Sequence, residues 1–438
     1  MEYLEGMRLA SLIWANSSSK GQSVKIERIL AFAIIASIPI GPVISIGVSG
    51  RGIHVALAQI LSLLLSAHLI FSKIALFGRL KTGLGIAALL ASAMAPPLLL
   101  VSDLAPAAVA YFNYATGVMG GIALGYVWAR TSRDRMGVID LGLAVFLTSG
   151  GGQLIVNYMS ASSLNALHQN AETPWGNSNY VAACLVVGAF VLISRGLETH
   201  KLRVVMIPVL ISVAAALLTL SRGAALSLAV GLGVLLWTGG RTSWQRFVLR
   251  LLSIAMPFGA LYILSKVEEL RYQGSSHANA NIDSRLLLFQ AAWNDFLHSP
   301  IVGNGWVSFR EVSALAVEEQ SFAHNFFLSF MQIGGVLFGL TTVFVYLAVM
   351  IRAIRKSWLI APAISAAFTI SMSDPFFEST VANLLTLSAV FLAIRSDPSK
   401  RETTGGLFLG AEFSEQTSAY RLAVSAERSV LSGQPHSK

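Results

Sequence analysis

The feature that most constrains this chain is a succession of apolar blocks, each long enough to cross the roughly 30 Å hydrocarbon layer of a bilayer. Ile29–Ser49, Ile53–Phe71, Leu84–Val101 and Val204–Leu220 are examples, and the pattern predicts about twelve transmembrane helices in all. Over the whole chain 54% of residues are hydrophobic and only 12% are charged. That is about half the charge of an ordinary soluble domain. Since lipid leaves no backbone group unsatisfied, such blocks fold as helices, and the expected class is an all-α polytopic membrane protein. Residues 1–28 read as a cytoplasmic segment too weakly apolar for a cleaved leader, residues 29–394 as the transmembrane domain, and 395–438 as a disordered cytoplasmic tail.

The net charge of +9 invites a nucleic-acid reading, which its distribution removes. With the N-terminus cytoplasmic, 25 of the 31 Lys and Arg residues fall on the inner side, in clusters such as Arg130-Arg133-Arg135 and Arg352-Arg355-Lys356. Only Arg51, Arg222, Lys266, Arg271, Arg285 and Arg310 fall outside. A bias repeated at every inward turn follows the positive-inside rule, so the basic character is topological and its partner is the bilayer. Cys184 is the single cysteine, which excludes internal disulfides and leaves a small buried packing residue.

Most connections are short, but an Asn- and Ser-rich outer loop lies between the fifth and sixth spans, and a long one, 266–323, between the ninth and tenth. The long loop carries structure. Asp283 and Ser284 are suited to cap a helix whose face holds Leu286, Phe289, Trp293, Phe296 and Leu297. Pro300 stops it, Gly303-Asn304-Gly305 turns the chain, and a second helical piece is expected over 309–319. These pieces are expected on the outer membrane boundary, and function is expected there.

Three polar residues stand out. Arg222 lies in Leu220-Ser221-Arg222-Gly223, a tight outer turn, with no Asp or Glu between Glu198 and Glu268. An Arg near hydrocarbon costs up to about 2.5–3.5 kcal/mol at mid-span, so it either snorkels to the interface or holds an anionic ligand. Arg285, in the first turn of the loop helix, is either a solvated charge beside Asp283 or, with Arg222, half of a two-guanidinium grip on a diphosphate. His324, in Phe322-Ala323-His324-Asn325-Phe326, is either a structural boundary histidine or a group that accepts a proton from a sugar hydroxyl. Asn325 is placed to fix that ring or bind ligand. His168, Asp374 and Glu378 are weaker outer candidates for acceptor contact, and Tyr272 and Trp306 offer rings for sugar stacking or interfacial anchoring. No Asp-x-Asp occurs, and the pairs Glu268-Glu269 and Glu318-Glu319 diverge, so no metal site and no cofactor are expected.

In order and context these positions resemble the O-antigen ligase and polymerase family of bacterial envelope enzymes. The resemblance rests on Ser221-Arg222-Gly223-Ala224 opening a span, Arg285 with Trp293, Pro300-Ile301-Val302-Gly303-Asn304-Gly305, and His324-Asn325 followed by Gly334 and Gly339. Asn177-Ser178-Asn179-Tyr180 before the sixth span also looks familial, while Gln332 departs from an acidic residue common there. The resemblance implies a metal-independent GT-C-type glycosyltransferase of the inner membrane, active at the periplasmic face in lipopolysaccharide or exopolysaccharide biosynthesis. By it, Arg222 and Arg285 hold the diphosphate of an undecaprenyl-diphosphate-linked glycan. His324 activates an acceptor hydroxyl, on lipid A–core for a ligase or on a growing polysaccharide for a polymerase. A transporter or flippase is the competing class; it predicts internal repeats and charged or broken mid-membrane helices, which the sequence lacks.

Overall fold

The computed structural model describes residues 24–48, 51–72, 85–86, 89–101, 104–131, 136–160, 173–219, 221–237, 243–271, 277–306, 323–374 and 376–395. Among these the side chains of 46–48, 51–53, 72, 131, 178, 263–264 and 267–285 lie outside the description. The expectations for 1–23, the 309–319 helix and the tail beyond 395 likewise fall outside it.

A first helix, α1, covers 24–36. The apolar block 29–49 does not continue as a helical span. A 3-10 turn, Ile38–Ile40, leads into two antiparallel strands, β1 (Pro42–Val48) and β2 (Arg51–Ala56). Pro39 and Pro42 deny the helix its hydrogen bonds, and the β-branched run Val43, Ile44, Ile46, Val48 takes the extended alternative. Ser45 Oγ and His54 Nδ1 face each other at 2.9 Å across the ladder.

The remaining described regular structure is helical: α2 (Leu57–Ser72), α3 (Leu104–Thr131), α4 (Val138–Met159), α5 (Ser178–Glu198), α6 (Leu202–Leu218), α7 (Arg222–Trp237), α8 (Ser243–Arg271), α9 (His277–His298), α10 (Phe326–Gly334), α11 (Thr341–Lys356), α12 (Ala361–Ser371) and α13 (Thr380–Arg395). A short 3-10 helix, Pro96–Leu100, precedes α3, and a π-helical turn, Gly335–Leu340, joins α10 to α11. Among the described residues four helices are long and apolar enough to cross a membrane: Leu104–Arg130, Val138–Met159, Asn179–Glu198 and Phe326–Lys356. Six further apolar helices are shorter. The chain is thus a polytopic helical membrane protein with one hairpin added.

Where lipid surrounds the bundle, apolar attraction between helices is weak and close backbone approach does the packing. Helix α3 meets this with Gly117, Gly121 and Gly125, one helical turn apart, all against α13. A Cβ at Gly121 would sit 2.5 Å from the Asn383 carbonyl oxygen. Polar side chains then lock the pair: Thr380 Oγ1 donates to the Asn113 carbonyl at 2.8 Å, and Gln59 of α2 donates to both Asn113 and Thr380.

Basic residues gather at one end of the bundle. Arg195, 2% exposed, donates through Nε to Asp140 at 2.9 Å and through its terminal nitrogen to Glu198. Trp128 Nε1 and the Gly137 backbone N–H donate to the same Asp140 carboxylate. Arg130 pairs with the buried Glu27 at 3.4 Å, and the guanidinium groups of Arg130 and Arg395 both lie over the Tyr126 ring. Arginines read from sequence as lying on one side do stand together.

Helix α9 corrects one expectation. It begins at His277, upstream of the expected Asp283–Ser284 cap. Leu288, Ala291, Ala292 and Asp295 are buried together with Phe296 of the apolar face, while Leu286, Trp293 and Leu297 of that face are exposed. In a bundle set in lipid the larger apolar side chains turn outward and small residues face protein. Trp306 is likewise neither exposed nor interfacial. It is fully buried, donates Nε1–H to the Met94 carbonyl at 2.8 Å, and packs against Tyr111 and Tyr114. Tyr272 lies outside the described residues.

Candidate functional site

At the end away from the arginine belt, three chain segments meet: the start of α7, the start of α10 and the turn joining α12 to α13. Thr219 Oγ1 accepts from the Ser221 N–H, and Ser221 Oγ accepts from the Ala224 N–H at 3.3 Å, so Ser221 caps α7. Arg222 is therefore the first residue of that helix and adds its charge to the positive end of the helix dipole. The next residue, Gly223, makes room for the turn. A Cβ there would sit 2.8 Å from Asp374 Oδ2 and 2.8 Å from Ser373 Oγ. Asp374 is buried, its N–H bonds to the Ile370 carbonyl at 2.9 Å, and Ser373 Oγ–H lies 3.2 Å from its Oδ2.

His324 reaches the same carboxylate from α10: its Nδ1 lies 3.7 Å from Asp374 Oδ1. Its φ of +53° is left-handed, uncommon outside glycine, and aims the side chain where a regular helical entry would not. Asn325 supports this kink. Its Oδ1 accepts from the Phe327 and Leu328 N–H groups, capping α10, while its Nδ2 donates to the Met372 carbonyl at 3.3 Å. Asn325 thus ties α10 to the turn that carries Asp374.

Glu378 comes next in that turn but points inward, 3% exposed. Burial pushes its carboxyl up to about 7, offset in part by the Ser329 hydroxyl. Among the described residues neither that hydroxyl nor either Glu378 oxygen completes a hydrogen bond. Asn383 holds the turn below it, donating to the Phe377 and Ser379 carbonyls and accepting from Tyr346 Oη–H at 2.7 Å.

The long loop is anchored to the C-terminal end of α10 and the π-helical turn that follows it. The Asn304 and Gly305 N–H groups donate to the Gln332 and Ile333 carbonyls, and those of Val336 and Leu337 to Pro300 and Ile301. Gln332 Nε2 reaches Asp295 Oδ2 at 3.4 Å, so the facing helix supplies a carboxylate where position 332 itself has an amide. Gly303, at φ +75°, lets this strap lie flat: a Cβ there would sit 2.4 Å from the Ile333 carbonyl oxygen. The backbone of Arg285 lies in α9, whose C-terminal end is thereby fixed to α10. Its side chain, and the whole of His168, lie outside the described residues.

The sequence therefore pointed to Arg222, His324, Asn325, Asp374 and Glu378 as separate outer positions, and the fold brings their segments together. It missed Ser373, Ser329 and Asp295. Asp295 carried a signal, an acid on the same helical face as Leu288, Ala291 and Ala292. Residues 207–344 match the sequence model of the O-antigen ligase family. The match begins within α6 and ends within α11, taking in Arg222, α9 and His324 but not Asp374 or Glu378. No curated protein matches the chain.

Proposed function

We propose that this chain, whose residues 207–344 match the sequence model of the O-antigen ligase family, transfers a glycan from undecaprenyl diphosphate to an acceptor sugar hydroxyl at the periplasmic face of the inner membrane. The reading rests on one observation above the others. The Arg222 and His324 segments, about a hundred residues apart in sequence, close on one carboxylate at the end opposite the arginine belt. With that belt cytoplasmic by the positive-inside rule, the site faces the periplasm.

In the proposed reaction the acceptor oxygen attacks the anomeric carbon of the donor. The bond from that carbon to the diphosphate oxygen breaks, and its electron pair leaves with the lipid diphosphate. Arg222 and Arg285 stabilise the charge on that leaving group with forked, charge-assisted hydrogen bonds, as a lipid diphosphate needs charge stabilisation more than protonation. The hydroxyl proton passes to Nε2 of His324, which is a catalytic residue in this scheme. No step calls for a metal.

The test is product formation and donor binding at matched membrane expression. Arg222→Ala is expected to cut transfer tenfold or more, by losing contacts of about 1.5–3 kcal/mol each. Arg222→Lys is expected to recover little, since an ammonium keeps the charge and loses the fork. Transfer by Arg222→Ala at the wild-type rate would overturn the assignment. Glycan from a deletion strain identifies the acceptor: loss of all capped lipopolysaccharide marks a ligase, and single-repeat products mark a polymerase.

A further inference from the structure

We infer that Asp374 is the positioning residue for His324, holding the imidazole by Nδ1 so that Nε2 faces the acceptor hydroxyl; this rests on the transfer reaction proposed above. The carboxylate is placed for the task from both sides. Its Oδ1 lies 3.7 Å from His324 Nδ1 and its Oδ2 lies against the first turn of α7. It therefore stands between the proton-accepting ring and the helix that presents Arg222. Ligand-free sites often hold such pairs slightly long, and a closure of under about an ångström makes this one a hydrogen bond.

The surroundings preset the carboxylate. Asp374 is 8% exposed, its backbone is tied to Ile370, and Ser373 lies at its Oδ2. The histidine is preset too, by its left-handed backbone and by the Asn325 bridge to Met372 one residue before Ser373. A carboxylate at one ring nitrogen selects the tautomer with the proton there and leaves the other nitrogen as acceptor. A neutral ring with its proton on Nε2 would instead present a donor to the hydroxyl and take up no proton from it.

Two readouts test the assignment on the full-length protein in nanodiscs. Nitrogen-15 spectra of labelled histidines, with His324→Ala to identify the signal, report the tautomer without any reaction. Wild-type His324 is expected to carry its proton on Nδ1, and Asp374→Asn is expected to shift the signal toward the other tautomer. A wild-type ring protonated on Nε2 alone overturns the proposal, and that measurement needs no variant to fold. Kinetically, Asp374→Asn is expected to lower kcat by about ten- to a hundredfold with donor KM within about twofold. In a His324→Ala background the same change is expected to cause no further loss, because a residue acting through the ring has nothing left to position. Equal losses in both backgrounds, or wild-type kcat in Asp374→Asn, overturn it. A wild-type protein that transfers no glycan from lipid-linked donor refutes the function reading instead, and the ring spectrum still decides the role of Asp374.

Discussion

Glu378→Gln replaces a buried acid with a neutral side chain of nearly the same shape. In the folded protein the Glu378 carboxyl stands near 7 against an ordinary 4.5, because burial penalises its ionised form. At 1.36 kcal/mol per unit, that difference amounts to about 3 kcal/mol. The raised folded value means that the folded state holds its proton more tightly than the unfolded state does. Stability from this group is therefore complete below pH 4.5, falls as pH rises toward 7, and levels off above it. Glutamine has no proton to lose. The variant should match the wild type near pH 4.5 and exceed it by about 3 kcal/mol at pH 8, diminished by whatever the new amide leaves unsatisfied. Unfolding in detergent micelles across this range measures it, taken as the difference between the two proteins so that other carboxylates cancel. A difference that does not change with pH, or that favours the wild type at pH 8, would refute the burial argument.

Gly303→Ala is expected to destabilise by about 1–3 kcal/mol, since it forces a left-handed φ and drives a methyl against the Ile333 carbonyl. Its specific sign is faster proteolysis within 277–306 as the strap lifts from α10, and wild-type cleavage rates would count against that packing. Activity on lipid-linked donor is expected to survive excess EDTA, because the donor set proposed for the diphosphate is guanidinium; abolition by EDTA with recovery on magnesium or manganese would count against it.

Long apolar blocks made this a membrane protein at the level of sequence alone, since nothing but bilayer or bulk core accepts them. The resemblance to the O-antigen ligase family, whose model matches residues 207–344, was also legible in short motifs whose residues are chemically hard to replace: an outer Arg opening a span, a Gly-Asn-Gly turn and a His-Asn pair. Arginine clustering followed from charge, which obeys a one-dimensional rule along the chain. Tertiary structure decided what periodicity cannot encode. The block 29–49 looked like a span by hydropathy, yet Pro39 and Pro42 with a β-branched run made the first half of a hairpin. The apolar stripe of α9 was visible, but how it divides depended on what lay on either side: Leu286, Trp293 and Leu297 are left exposed while Phe296 and Asp295 are buried. Trp306, with an interfacial composition, became a core plug because Met94 offers its carbonyl there. The site shows the same division. Arg222, His324 and Asp374 each carry a recognisable chemistry, but segments 50 to 152 positions apart meet only when helices pack. That packing here depends on Gly223 having no side chain and on Asn325 spanning to Met372.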